Sequence, residues 1–310
     1  MKAFAVLLAL WSTCLWAEVT ATDTAGRRIV LPAPAQRIVS LAPHLTELVF
    51  AAGAGDKLVG ASDYSDYPPQ AARLPRVASS GGIDLERLLA LRPDLVLAWR
   101  LDATAQSLDR IESLGLPLAY IEPHRLEQIP QALEMVGSLA GTAPTAKAEA
   151  ARLRAELARL RASYAGRAPI DVFYEIAERP LMTLSAKHFV SDAISLCGGR
   201  NVFAGLPLIA PEIDPEAVLA ADPQVIVAAR TGMDAASGVP ADTSWQAKWR
   251  RFPQMRAVRD GNLLAIEAEP MHRHGPRAIA ATGKLCALLD DARQRAGSSA
   301  RPPTAGKSPR

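Results

Sequence analysis

Two α/β lobes, each with a mostly parallel central sheet flanked by helices and joined by one long helix, are predicted by three features of this 310-residue chain. The first is a doubled unit: Asp84-Leu85-Glu86-Arg87-Leu88-Leu89-Ala90-Leu91-Arg92-Pro93-Asp94-Leu95-Val96-Leu97-Ala98 reads in register against Asp214-Pro215-Glu216-Ala217-Val218-Leu219-Ala220-Ala221-Asp222-Pro223-Gln224-Val225-Ile226-Val227-Ala228. Each copy has an Asp at the N-cap position, a short helix with a glutamate in its first turn, a proline stop and a buried apolar strand. The second is an alternation of short apolar runs with helix-forming stretches on both sides of the chain's middle, the pattern of a parallel sheet covered by helices. The third is Thr145–Ala165, free of Gly and Pro and dense in strong helix formers, which reads as a rigid strut between the two copies.

In the first half, Ile29–Leu31 is extended and Arg37–Leu41 is a strand entering a loop at Ala42-Pro43-His44. A helix over 45–53 stops at Gly53, and strand Leu58–Ala61 ends in the polar, aromatic loop Ser62–Pro69. The first copy of the unit supplies a helix and strand Leu95–Trp99. Helix 103–114, strand Pro117–Ile121 and helix 126–140 follow. In the strut, Leu153, Leu157 and Leu160 form the apolar stripe. The second half repeats the plan with strand Ile170–Ile176, the segment Leu181–Leu184 and helix 188–197. Its Ser191-Asp192 stands to Gly198 as Thr46-Glu47 stands to Gly53. After the second copy come a polar stretch at 231–248, strand Leu263–Ile266, a loop at 267–276 and a final helix over 276–294.

The N-terminus has the order of an export signal: Lys2, then the apolar run Ala3–Leu10 with Trp11, then small residues, with cleavage near Ala17. A lipid-anchored alternative at Cys14 lacks the expected leucine and small residue before the cysteine. The expected division is a signal peptide at 1–17, an N-terminal lobe at 35–141, a connecting helix at 142–165, a C-terminal lobe at 168–294 and a disordered tail at 295–310. Cys197 and Cys286 remain after export, and such a pair in an oxidising compartment commonly forms a disulfide, the alternative being two buried thiols. The net charge of +3 comes from the acid-free stretch Ala292–Arg310, so the charge gives no case for a nucleic-acid partner.

No nucleophile elbow, dinucleotide or phosphate loop, or His-Glu-x-x-His motif is present, which argues against an enzyme and names no catalytic residue. Of the histidines, His44, His188 and His272 fall in or beside loops after strands, and His272 and His274 would share a face of an extended loop. No third ligand accompanies them, so no metal site is expected. Tyr64 and Tyr67 offer broad amphipathic faces for a large, flat, partly polar ligand, with Met271, His272 and Arg273 opposite. Glu86 and Glu216 are either partners of their helix dipoles or matched knobs for a two-fold partner presenting arginines.

The motifs Arg37–Pro43 with Thr46-Glu47-Leu48, Tyr64–Pro69, Asp84–Arg87 with Pro93–Val96, Cys197-Gly198-Gly199-Arg200-Asn201-Val202-Phe203 and Gly275-Pro276-Arg277 resemble periplasmic substrate-binding proteins of the iron–siderophore/cobalamin class, and its cobalamin branch in particular. The resemblance covers about 35–294. It implies two lobes on one long helix, a ligand cleft between them with little closure, and delivery of cobalamin or a related corrinoid, as transported ligand and not as cofactor, by a periplasmic monomer to an ABC permease dimer. It places Tyr64, Tyr67, Ser80, Trp99, Arg100, Glu269, Pro270, Met271, His272 and Arg273 at the ligand, Glu86 and Glu216 at the permease, and Cys197 with Cys286 in the family's disulfide. Ser80 and Pro270 stand where members of the class can carry tryptophans, which leaves haem or a ferric siderophore as alternative cargo. With haem, Tyr64 or Tyr67 would meet the iron; with a siderophore, Arg273 and Arg100 would meet acidic groups.

Overall fold

The computed structural model describes residues 18–100, 104–232 and 243–299. The expected signal peptide and the tail beyond Ser299 lie outside the described residues. The chain opens with a hairpin of β1 (Val19–Thr22) and β2 (Arg28–Leu31). It then alternates through β3 (Ile38–Ser40), α1 (Pro43–Ala51), β4 (Leu58–Ser62), β5 (Arg76–Ser79), β6 (Gly82–Ile83), α2 (Leu85–Ala90), β7 (Leu95–Ala98), α3 (Ala105–Ser113), β8 (Leu118–Tyr120) and α4 (Gln128–Leu139). Helix α5 (Ala143–Tyr164) crosses to the second lobe; its 22 residues span about 33 Å. The second lobe holds β9 (Ile170–Glu175), β10 (Ala177–Glu178), β11 (Leu181–Met182), α6 (Phe189–Leu196), β12 (Gly199–Asn201), α7 (Pro215–Ala221), β13 (Val225–Arg230), α8 (Ser244–Arg250), α9 (Arg256–Arg259), β14 (Leu263–Glu267), α10 (Ala268–His272) and α11 (Arg277–Ser299).

The two main sheets share one topology. Strand order is β6-β5-β4-β3-β7-β8 in the first lobe and β12-β9-β13-β14 in the second. The runs β4-β3-β7-β8 and β12-β9-β13-β14 match position by position, with β5 and β6 added beyond β4; every pair is parallel except β5–β6. The doubled unit supplies α2–β7 and α7–β13, and both strands are interior, each next to the edge strand that ends its sheet. Leu95–Ala98 and Val225–Ala229 are buried throughout because helices cover both faces of a parallel sheet.

One apolar core runs through both lobes. Leu45 and Leu48 of α1, Leu133 and Val136 of α4, Leu153 and Leu157 of α5, Phe189 and Val190 of α6, and Leu285 and Leu289 of α11 belong to the same contiguous cluster. The opposite face of each sheet has its own smaller cluster, around Leu88, Leu108 and Ile111 in one lobe and Phe173, Trp245 and Trp249 in the other. Arg154 on α5 donates twice to Glu134 on α4, both at 2.7 Å, and Cys197 is bonded to Cys286, tying the end of α6 to α11.

Five local features differ from the sequence reading. The hairpin of β1 and β2 lies before residue 35 yet belongs to the first lobe: Asp23 accepts from the Ala25, Arg27 and Tyr120 amides, and Thr24 bonds the Tyr120 carbonyl. Leu181–Leu184 stays out of the main sheet: β11 pairs with β10 and bridges Glu212 through Met182. The 267–276 segment is partly helical, as Glu269 in the first turn of α10 suits the helix dipole and Pro270 is tolerated that early. Asp84 caps α2 through the Arg87 amide, whereas Asp214 makes no side-chain cap and Pro215 opens α7 instead. The last helix runs five residues into the stretch expected as tail, 295–310, because Arg295 donates to Asn262 at 2.9 Å.

Candidate functional site

The carboxyl ends of both sheets face the same gap, and in an open parallel sheet ligands bind beyond those ends, where the strand order reverses. The reversals lie between β3 and β7 and between β9 and β13. Two cavities meet there. One, of about 240 Å³, is lined by the first lobe alone, including Tyr64, Ser80, Ile83 and Trp99. The other, of about 230 Å³, lies between the lobes and is lined by Trp99, Ile176, His188, Ile209, His272 and His274 among others. Trp99 belongs to both and is held by a 2.8 Å hydrogen bond from its Nε1 to Glu122. Tyr64 stands at the rim, 74% exposed, with φ of 60°. That left-handed conformation is uncommon for a bulky residue, and Arg273 fixes it by donating to the Tyr64 carbonyl at 3.0 Å.

Two carboxylates cross the gap in opposite directions. Glu47 on α1 of the first lobe accepts from Arg277 at 2.6 and 3.0 Å and from Arg273 at 3.3 Å, both in the second lobe. Asp192 on α6 of the second lobe accepts from Arg125 at 3.1 Å and the Leu126 amide at 3.0 Å, in the first. The matching Thr46-Glu47 and Ser191-Asp192 pairs thus have matching work. Each reaches the segment after the last sheet strand of the other lobe. Gly275 makes room for the first of these crossings, since a Cβ there would stand 3.3 Å from Glu47 Oε2. Asp66 joins it at 2.9 Å from Arg273; partial burial pushes its carboxyl up, but the arginine outweighs this and holds it below its usual range.

Between these crossings lie the histidines. His274 is ringed by His188 at 4.7 Å, Phe189 at 5.0 Å, and His44 and Trp99 at 5.5 Å between ring centroids. His272 lies 3.3 Å from the Tyr174 hydroxyl. Burial among these rings lowers the pKa of His44 to about 4, of His188 to about 3 and of His272 to about 4, and lowers that of His274 well below its usual value. All four are neutral at pH 7. The alternation His272-Arg273-His274 explains the arrangement: Arg273 has extended backbone, so its neighbours share one side and it faces the other.

The expected ligand residues divide. Tyr64, Ser80 and Trp99 come together in one cavity, and His272 joins Trp99 in the other. Tyr67 lines a separate cavity of about 480 Å³ beside α5, under the Arg277 guanidinium at 4.1 Å from its ring. Arg100 turns away toward Asp109 and the Tyr120 ring. Pro270 and Met271, expected at the ligand, are buried, and Met271 packs wholly within the apolar core because α10 turns it inward. Glu269 pairs with Arg273 at 3.5 Å and Arg277 at 3.9 Å within its own lobe, whereas Arg273 is occupied across the gap by Glu47 and Asp66 and so joins the two lobes. Glu86 and Glu216 are exposed in the first turns of α2 and α7. Absent from the expected set are His124, His188, His274, Ile176 and Ile209. The sequence signals were the place of His188 beside a loop after a strand and the two-residue spacing of His274 from His272; nothing pointed to His124.

A two-lobed receptor with a pre-formed cleft at its topological switch points is the class that this fold and site define. The chain belongs to the periplasmic binding protein family, whose match spans residues 38–269. It is 37% identical over 258 residues to the vitamin B12-binding protein of Vibrio cholerae serotype O1, covering 83% of this chain and 90% of that one. The crystal structure of the periplasmic vitamin B12 binding protein of Vibrio cholerae superposes with a TM-score of 0.74 at 35% identity, over 84% of this chain and 99% of that chain. A periplasmic heme-binding protein from Roseiflexus sp. RS-1 superposes at 0.70 with 27% identity, over 83% of this chain and 98% of that chain.

Proposed function

We propose that this protein captures cobalamin or a related corrinoid in the inter-lobe cleft, in the periplasm, and delivers it unchanged as a monomer to the permease dimer of an ABC importer. The observation carrying the reading is the similarity over 83% of the chain to a vitamin B12-binding protein, joined to a largely apolar cleft rimmed by Tyr64 and divided by Trp99. Calorimetric titration with cyanocobalamin is expected to give a dissociation constant below about 1 µM, equivalent to about 8 kcal/mol. No heat, and no corrin retained on gel filtration at a hundred times that concentration, would overturn it. Haem is the second reading, favoured by the exposed Tyr64 phenol beside the cleft; a shifted Soret band on adding hemin, with no cobalamin binding, would establish it instead.

Glu86 and Glu216 are proposed as the permease contacts. Each stands at a helix start, and the helix runs antiparallel to the strand it feeds, so both glutamates lie toward the cleft-side end of their lobes. The double variant Glu86→Ala/Glu216→Ala is expected to keep cyanocobalamin affinity and to lower uptake by about tenfold or more in vesicles containing the cognate permease, since charged interface pairs govern docking. An equal loss of ligand affinity would place these carboxylates in ligand binding and reject the docking role.

A further inference from the structure

Four of the chain's five histidines, His124, His188, His272 and His274, line the single 230 Å³ cavity between the lobes. They do not form a site for a free metal ion: among the described residues no group of three or more histidine, cysteine or carboxylate side chains could hold one. A metal that arrives already chelated by a macrocycle has a smaller need, a single donor on its open axial side. The structure distinguishes the histidines on this point. His188 Nδ1 accepts from the Val190 amide at 3.2 Å, which leaves the proton on its Nε2 and no lone pair for a metal. His272 Nε2 is engaged by the Tyr174 hydroxyl, and His124 is exposed to solvent.

His274 differs from all of them. The residue is 5% exposed, yet its ring has no hydrogen-bond partner among the described residues and is packed against the rings of His44, Trp99, His188 and Phe189. Buried polar groups are nearly always partnered. Nor are its nitrogens sealed away: the sealed, unpartnered side-chain atoms among the described residues are Tyr120 Oη, Glu127 Oε2, Thr142 Oγ1 and Trp245 Nε1. The His274 nitrogens therefore open onto the cavity its ring lines. A neutral imidazole, walled by Trp99 and Phe189 and held by the turn that sends Arg273 to the other lobe, is a donor without a partner.

We propose that His274 is the axial ligand for the metal of the transported macrocycle, so that the protein selects corrinoids with an exchangeable axial group. This rests on the corrinoid reading above. With aquocobalamin the step is a substitution: the imidazole nitrogen donates its lone pair to trivalent cobalt, the cobalt–water bond breaks, and water leaves intact with no proton or electron transferred. Cyanocobalamin, whose cyanide does not leave, is the control.

Purified protein is titrated with each cobalamin, with calorimetry and the visible spectrum recorded together. The expected result is a spectrum shifted to that of an imidazole-bound cobalamin with aquocobalamin only, and an affinity about tenfold or more above that for cyanocobalamin. In His274→Phe the shift disappears and the affinity ratio falls to about one; His274→Asn, polar and smaller, gives the same outcome should the phenylalanine disturb folding. Full binding of aquocobalamin with its free spectrum unchanged, or a shift that survives both substitutions, overturns the ligation. Failure of both cobalamins to bind overturns the corrinoid reading itself, and the proposal with it.

Discussion

Acidification from pH 7.5 to pH 5 will destabilise this protein steeply, and the cause will be histidine and not carboxylate. His44, His188 and His272 have pKa values lowered to about 4, about 3 and about 4 by burial, and His274 is lowered well below its usual value. In the unfolded chain each returns to about 6.5. Below that pH the unfolded chain binds protons that the native protein refuses, so stability is complete above about pH 7 and falls as pH drops toward the folded values. Each such group contributes a slope of about 1.4 kcal/mol per pH unit inside the window, so His44 and His188 alone give roughly 3. Carboxylates held down by arginines, such as Asp66 and Glu134, act in a lower window. Urea midpoints followed by tryptophan fluorescence at pH 7.5, 6 and 5 measure the slope. A midpoint constant over that range would mean the imidazoles are not buried and neutral as the ring cluster requires.

Glu47→Ala is expected to cost about 3–5 kcal/mol, the usual loss when one partner of a buried ion pair is removed. The Glu47 side chain is 2% exposed and is shared by Arg273 and Arg277. Asp66 and Glu269 remain as partners for the orphaned guanidinium groups, which places the loss near the lower end. Because Arg273 also holds the Tyr64 carbonyl, the substitution should loosen the rim loop and raise amide exchange around Tyr64 as well as lowering the urea midpoint. A loss below about 1 kcal/mol, the range of exposed pairs, would show that this crossing does not hold the lobes together.

The lobes and their helical strut were legible because their signals are local: the doubled helix–stop–strand unit and the Gly- and Pro-free run each describe a few consecutive turns. The site was legible only in part. Tyr64, Ser80 and Trp99, singled out from the sequence, line one cavity together, whereas Met271, expected at the same ligand, is buried because α10 coils and turns it inward, which nothing in the sequence announces. Arg273 looked like a free donor for the same reason, since its acceptor Glu47 lies 226 residues earlier in the chain. The offset shared by Thr46-Glu47 and Ser191-Asp192 was visible from the start. What it lacked was the three-dimensional fact that each lobe reaches across to the other. The histidine cavity is a product of the same kind of convergence, its histidines coming from three separate segments.

The apolar core that passes unbroken through both lobes has a kinetic consequence. Moving one half against the other has to disturb this shared packing, so under the proposed function capture is expected without a closing step, at the rate of docking onto a prepared surface, about 10⁵–10⁷ M⁻¹s⁻¹ for a typical oriented encounter. Dwell time then depends on contact strength alone, with no gate to delay escape. In that reading unloading is a mechanical matter: the acceptor is expected to strain this shared interior, so that the work of release falls to it and not to the carrier.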